Sequence, residues 1–192
     1  MISLHEEPAL SQKASIHLDE KKAIGRVAAS QVRNQEVIFL DSGSTIQFMI
    51  PYLIEHKNLL VITNSVDNAS MLADYDIETF LPGGKLKSST KALVGSTMVQ
   101  TLETYHFDKC FLGTNGFSIE SGYTTPDPEE SSIKQLAIKQ SNQTFILSDS
   151  SKYCQVSFSK FADLKDATLI TNELPVKESV LLNKETKVME VN

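Results

Sequence analysis

The sequence predicts an α/β domain: a mainly parallel sheet flanked by helices, similar in plan to the open sheets that bind small ligands at one edge. Three observations carry that expectation. Short apolar runs alternate with segments of helical periodicity along most of the chain. The 192 residues, 41% of them hydrophobic and 22% charged, suit one domain with a substantial core. Polar, hydroxyl-rich turns follow the apolar runs, at the carboxyl ends of the expected strands, where open parallel sheets collect their ligands.

The elements follow in order. Residues 1–18 have weak periodicity and contain Pro8, so they read as a linker or extended arm, with the domain itself spanning 19–192. From Asp19, the residues Ala23, Ile24, Val27, Ala28 and Val32 repeat at helical spacing, with acidic residues suited to a helix start. Strands are expected at Val37–Leu40, Leu59–Thr63, Ile77–Leu81, Lys109–Leu112, Thr144–Ser148, Thr168–Thr171 and Lys187–Val191. Helices are expected near 44–56, 65–74, 95–106, 129–141 and 175–183, with Pro51 ending or kinking the first of these. One interruption stands out: Leu81-Pro-Gly-Gly-Lys-Leu86 reads as a tight turn, followed by a strand within Ser88–Val94 that runs back.

Composition removes several function classes. The formal net charge is −6, and Arg26 and Arg33 are the two arginines, a poor basis for holding a nucleic-acid backbone. Cys110 and Cys154 lack the spacing of a zinc or redox site, and His5, His17, His56 and His106 are scattered, so neither a metal nor a cofactor is expected. Cys110, inside an apolar run, reads as a buried and inert thiol. No stretch is apolar enough to span a membrane and the N-terminus lacks a signal peptide's pattern, so a cytoplasmic location is expected.

The segment Val37-Ile-Phe-Leu-Asp41-Ser-Gly-Ser-Thr45 is the most informative. A buried strand stops at Asp41 and a helix starts within a few residues. Gly43 permits close backbone approach, while Ser42, Ser44 and Thr45 offer hydroxyls and the first helical turn offers amides. That is the chemistry of an anion site, most often for phosphate. An ordinary Ser/Thr helix cap has the same local sequence, and the motif alone leaves both readings open. Other strand ends carry Thr63-Asn64-Ser65, Gly113-Thr-Asn115-Gly116 and Asp149-Ser-Ser-Lys152. Together on one sheet edge they would line a polar pocket with phosphate donors and hydroxyl partners. Capping accounts for part of the role of Asn64 and Ser65. Lys152 can supply a point charge to a phosphate or stand as a solvated surface lysine. Glu129 and Glu130 read first as favourable charges at a helix start, and second as acceptors for sugar hydroxyls.

The order of Asp41-Ser-Gly-Ser-Thr, Thr63-Asn64, Gly83-Gly84, Gly95, Phe111-Leu-Gly-Thr-Asn-Gly116, Gly122-Tyr-Thr-Thr125 and Asp149-Ser-Ser-Lys152 resembles the effector-sensing domain of DeoR-type bacterial transcriptional repressors. The individual motifs are short; the ordered set with these spacings is specific. The resemblance covers about residue 19 to the end. It implies a fold shared with ribose-5-phosphate isomerases and coenzyme A transferases, a phosphorylated sugar as effector, and self-association. It implies as ligand-binding residues Asp41, Ser42, Gly43, Ser44, Thr45, Thr63, Asn64, Gly83, Gly84, Lys85, Gly113, Asn115, Glu129, Asp149 and Lys152. Such repressors carry an N-terminal winged helix-turn-helix; this chain resembles the sensor half, cut in the linker, with operator DNA a partner only through that missing domain. Tyr123-Thr-Thr-Pro-Asp-Pro-Glu-Glu130 most resembles the fructose-operon repressors, implying fructose 1-phosphate. Tagatose 6-phosphate and fructose 1,6-bisphosphate are the rivals.

Kinship with an isomerase raises an enzyme alternative. The Asp-Gly-Ala-Asp-Glu motif of ribose-5-phosphate isomerases aligns with Leu112-Gly-Thr-Asn115-Gly116, which removes both aspartates, and the glycine-rich segment before the glutamate base is replaced by Gly122-Tyr-Thr-Thr-Pro-Asp-Pro. Aldose–ketose isomerisation needs a positioned base. A binding function without catalysis is therefore expected, ahead of an isomerase-like or sugar-phosphate hydrolase activity and of a pure oligomerisation module with a vestigial pocket.

Overall fold

A seven-stranded parallel sheet forms the centre of the molecule, with the strands Val188–Val191, Thr168–Asn172, Ser141–Leu147, Phe107–Gly113, Val37–Leu40, Leu60–Thr63 and Glu78–Phe80 side by side in that order. The computed structural model describes residues 15–191, so most of the stretch expected as a linker lies outside the described residues. The chain runs through α1 (Leu18–Ala29), β1 (Val37–Leu40), α2 (Ser44–Gln47), β2 (Leu60–Thr63), α3 (Val66–Asp74) and β3 (Glu78–Phe80). A hairpin of β4 (Lys85–Lys87) and β5 (Ala92–Val94) follows, then α4 (Ser96–Leu102) and β6 (Phe107–Gly113). The remainder is β7 (Gly116–Ser118), β8 (Gly122–Thr125), α5 (Pro128–Lys139), β9 (Ser141–Leu147), β10 (Ser159–Ala162), β11 (Thr168–Asn172), α6 (Val176–Glu185) and β12 (Val188–Val191).

Side chains alternate across the central strands, so each strand feeds two cores. Phe39, Cys110, Leu112, Ile146 and Leu169 face one layer, with Ile133 and Ala137 of α5 and Leu102 of α4. Ile38, Leu40, Phe111, Phe145 and Ile170 face the other, against Ile24 and Ala28 of α1 and Leu72 of α3. Burial on both faces explains why these strands read as continuous apolar runs. The predicted fold class is the observed one, and all the strands expected in the sheet are found, within two or three residues at each end.

The departures are local. The helix expected over 44–56 is two pieces: α2 ends at Gln47, and a 3-10 turn occupies Ile50–Glu55 with Pro51 in its first turn. Proline has no amide to donate at that point, and the backbone here also meets α1 closely. A Cβ added to Gly25 would lie 2.5 Å from the carbonyl carbon of Phe48, so α1 rests directly on that backbone. The tight turn expected at 81–86 instead leads into β4, and the hairpin reverses over 88–91, where Lys91 adopts a positive φ of 51°. A three-stranded antiparallel sheet, β10-β8-β7, had no counterpart in the sequence reading. Its strands have three or four residues each, too few for a periodicity to register.

Gly25 gives a prediction whose sign is informative. In an exposed helix interior, glycine to alanine stabilises by about 1 kcal/mol. Here Gly25→Ala is expected to destabilise by roughly 1–3 kcal/mol, because the methyl group must push α1 off the Phe48 backbone. Urea denaturation reads it directly, and an increase in the unfolding midpoint would contradict the close-packing account.

Candidate functional site

β1 is the strand at which the connections change direction: β2 lies on one side of it and β6 on the other. Loops leaving β1 and β6 therefore diverge and open a crevice at the strands' carboxyl ends, the place where ligands settle in open α/β sheets. Asp41 is the first residue past β1 and is only 2% exposed. Its amide donates to the Phe111 carbonyl at 3.1 Å. Its carboxylate accepts from the Gly113 amide at 2.9 Å and pairs with Lys134 of α5. The Lys134 ammonium, itself buried, also donates to the Gly113 carbonyl at 2.9 Å and lies 5.4 Å from the centre of the Phe161 ring. Asn68 of α3 donates to the Asp41 carbonyl at 2.8 Å. One residue thus joins β1, β6, α3 and α5.

Held by Asp41, the Ser42–Thr45 turn curves into α2. Gly43 has extended backbone angles and packs against Gly113; a Cβ on Gly43 would lie 3.2 Å from the Gly113 Cα. Ser42, Ser44 and Thr45 are buried. Among the described residues, nothing accepts from the amides of residues 42–45, and the three hydroxyls make no hydrogen bond. These residues line a cavity together with Ser148, Asp149 and Lys152 at the end of β9. Asp149, buried, accepts from the Ser151 amide at 3.1 Å and from the Ser151 hydroxyl, which fixes the 3-10 turn bearing Lys152. The floor includes Gly113, Thr114 and Asn115 after β6. The Asn115 amide donates to the Thr124 carbonyl at 3.0 Å and its side-chain oxygen accepts from Thr125 at 3.2 Å.

The structure brings together Asp41, Ser42, Gly43, Ser44, Thr45, Gly113, Asn115, Asp149 and Lys152 of the residues singled out in the sequence. It places the others elsewhere. Thr63 donates to the Leu40 carbonyl at 2.7 Å and accepts from the Ser65 amide at 3.1 Å, a role internal to the strand ends. Asn64 is 1% exposed and its carbonyl accepts from Leu93, tying β2 to the hairpin. Gly83, Gly84 and Lys85 lead into β4, outside the cavity, and Lys85 pairs with Glu129 at 3.3 Å in solvent.

The cavity also holds Glu130, read in the sequence first as a helix-start charge, and residues that the sequence reading passed over: Lys21, Thr90, Lys134 and Ser148. Glu130, Ile133, Lys134 and Ala137 share one face of α5, so an apolar stripe at 133 and 137 was the available signal that its charged neighbours face inward. Glu130, 5% exposed, accepts from Thr90 at 2.7 Å and from Lys87 at 3.0 Å, while Lys87 reaches Asp127 at 2.7 Å. The β4–β5 hairpin is thereby fastened to the start of α5. Asp127 caps that helix, accepting from the amides of Glu129 at 2.7 Å and Glu130 at 3.3 Å. Partial burial pushes its carboxyl up, but Lys87 and the two amides outweigh this and hold it below the usual carboxylate value.

Chemically, the site is a set of donors around an enclosed space. No cluster of potential metal ligands occurs among the described residues. Burial pushes the Cys110 thiol up to about 11, which leaves it without nucleophilic character. None of the described helices is long and apolar enough to cross a membrane.

Comparison with known proteins decides the family. The model for the DeoR C-terminal sensor domain matches residues 16–173. The chain belongs to that family. FruR of Bacillus subtilis, named as an uncharacterized HTH-type transcriptional regulator, is 41% identical over 87% of this chain and 66% of its own length. The HTH-type transcriptional repressor GlcR of the same species is 38% identical over 82% of this chain and 61% of its own. The DeoR-type sensor chain therefore spans roughly two thirds, or less, of the length of these relatives. Among solved structures, ribose-5-phosphate isomerase A from Methanocaldococcus jannaschii superposes with a TM-score of 0.54 at 19% identity, over 72% of this chain and 55% of that one. The eIF2B delta subunit of Chaetomium thermophilum gives 0.56 at 12%, over 73% and 50%. These likenesses show the fold of the sensor family and nothing about chemistry.

Two outcomes are expected. Lys134→Met strands a buried carboxylate and should cost about 3–5 kcal/mol, whereas adding Asp41→Asn to it should recover part of the loss. A denaturant-based double-mutant cycle measures this, and additive losses would refute the coupling. For Asp127, a depressed folded value means that its contribution is present above the unfolded carboxylate value, about 4, and is lost as pH falls through the folded one. Asp127→Asn should therefore flatten the acid limb of the stability curve, with little gain in stability below that range.

Proposed function

We propose that this domain binds a phosphorylated sugar and, as the effector-sensing part of a longer transcriptional regulator, alters DNA binding by a preceding helix-turn-helix domain. The observation that carries the reading is the Ser42–Thr45 turn: amides and hydroxyls without partners among the described residues, at the switch point of a parallel sheet, in a cavity that Lys152 also lines. Buried donors are normally paired, and a phosphate's oxygens would satisfy several at once. Asp41 spends one carboxylate oxygen, Oδ2, on Lys134 and the Gly113 amide, which holds the turn, and it also lines the cavity where a sugar hydroxyl would sit. Asn115, Asp149 and Glu130, each held by neighbouring groups, line the same cavity as further partners for hydroxyls. Membership of the DeoR sensor family and the regulator names of the relatives support the same reading, with which a cytoplasmic, self-associating protein is proposed. Binding would favour one pocket arrangement over another, by as much as the ligand's differential affinity for the two.

The site is read as binding rather than catalytic because the carboxylate nearest the turn, Asp41, is neutralised by a buried lysine and is not placed to move a proton. The best candidate for the ligand is fructose 1-phosphate, supported by the resemblance of 123–130 to fructose-operon repressors and by the similarity to FruR.

A ligand bound only by the folded state at a hundred-fold excess over its Kd stabilises by about 2.7 kcal/mol. Fructose 1-phosphate should therefore raise the melting temperature by several degrees, and free fructose should leave it unchanged. Ser44→Leu should abolish the shift by filling the turn's mouth. Calorimetry should rank fructose 1-phosphate above fructose 6-phosphate, tagatose 6-phosphate and fructose 1,6-bisphosphate; equal stabilisation by free fructose would remove the phosphate-site reading.

A further inference from the structure

A second cleft opens towards the opposite edge of the sheet. The Ser42–Thr45 turn lies past the carboxyl end of β1, whereas this cleft gathers residues near the amino ends of four neighbouring strands. They are Lys109 of β6, Gln143 of β9, Thr168 of β11 and Lys187 just before β12. Each stands two residues before a side chain of the core layer under α1, namely Phe111, Phe145, Ile170 and Met189, so alternation puts all four on the α1 face. Arg33, in the chain leaving α1, and Lys165, in the 3-10 turn Leu164–Asp166, also line it. The cleft encloses about 390 Å³, enough for a small ligand.

Its charge runs against that of the chain. The protein has 18 lysines and arginines against 24 acidic residues, yet Arg33, Lys109, Lys165 and Lys187 line the cleft with Asp166 as the carboxylate among them. Lys109 is nearly buried and paired with Glu36. The same carboxylate accepts from the Arg33 amide at 2.9 Å, which fixes the backbone from which Arg33 projects. Asp166 accepts from the Asp163 amide at 2.9 Å and so closes the turn bearing Lys165. The Lys187 carbonyl accepts from the Leu169 amide at 2.9 Å. Among the described residues, the side chains of Arg33, Lys165 and Lys187 form no hydrogen bond or ion pair. Against these three cations stands Asp166, which leaves about two positive charges unbalanced, close to the charge of a phosphate monoester at neutral pH. An arginine fork matches phosphate oxygens, and the lysines add point charges. A concave site on a chain of net charge −6 suits one small dianion better than a polyanionic backbone.

We propose that this cleft is a second anion site, which takes the phosphate group of a small molecule, with Arg33 as the forked donor and Lys165 and Lys187 as flanking charges. It is separate from the Ser42–Thr45 pocket and does not depend on what that pocket binds.

The full chain is titrated with inorganic phosphate and with fructose 1-phosphate at constant ionic strength, and binding is followed by amide NMR shifts. Saturable shifts are expected at Arg33, Lys165, Thr168 and Lys187, and they should persist in Ser44→Leu, where the turn is blocked. Arg33→Gln should weaken binding at the cleft about ten-fold, the loss of a charge-assisted hydrogen bond, and Lys165→Gln should weaken it by less. Lys177→Gln on α6 removes the same charge from an exposed position and should leave the affinity unchanged. Tighter binding of the ester at these amides assigns the cleft to a phosphorylated metabolite, and equal binding assigns it to phosphate itself. Shifts confined to the Ser42–Thr45 turn, their loss from the cleft in Ser44→Leu, or equal weakening by Lys177→Gln overturns the proposal.

Discussion

The ion pair between Asp41 and Lys134 is the constraint on which the rest of the site depends. Both partners are nearly excluded from water, and each is satisfied further by Gly113, whose amide donates to the carboxylate and whose carbonyl accepts from the ammonium. A pair of this kind contributes modestly to stability, since desolvating two charges offsets most of their attraction. Its consequence is positional. Breaking it leaves a buried charge, so β1, β6 and α5 are held in one relative arrangement at the sheet edge where the pocket opens.

Everything around that pair is arranged to leave donors unspent. The glycines at 43 and 113 let the chain after β1 and the end of β6 approach until their backbones touch. A second polar cluster, Lys87 with Asp127 and Glu130, fastens the β4–β5 hairpin against α5 and closes one side. Both devices use charged side chains to place backbone, and the backbone then supplies the chemistry.

The fold is shared with ribose-5-phosphate isomerase A, and at identities of 19% or lower that likeness concerns architecture alone. What differs in this chain is visible in its own residues: the carboxylate beside the turn is neutralised, and Leu112 is buried in the core rather than open to the crevice. At this sheet edge the carboxylate beside the turn is therefore paired rather than exposed.

The sequence by itself determined the parallel sheet and the Ser/Thr turn, because both are written locally. Buried strands read as apolar runs, and a strand stopping at Asp41 before Ser-Gly-Ser-Thr can hardly be anything but a strand–helix corner. Pro51 likewise announced the break in the helix after the turn. The tertiary structure alone decided which polar residues meet. Thr63 and Asn64 looked like pocket residues because they end a strand, yet β2 lies on the far side of the switch point and their hydrogen bonds go to neighbouring backbone. The sequence reading did not single out Lys134 or Lys21, since a helical lysine is usually solvated, and only packing of α5 and α1 against the sheet buries them. Strand order and helix rotation are set by contacts between residues far apart in the chain, and a local pattern carries no record of them.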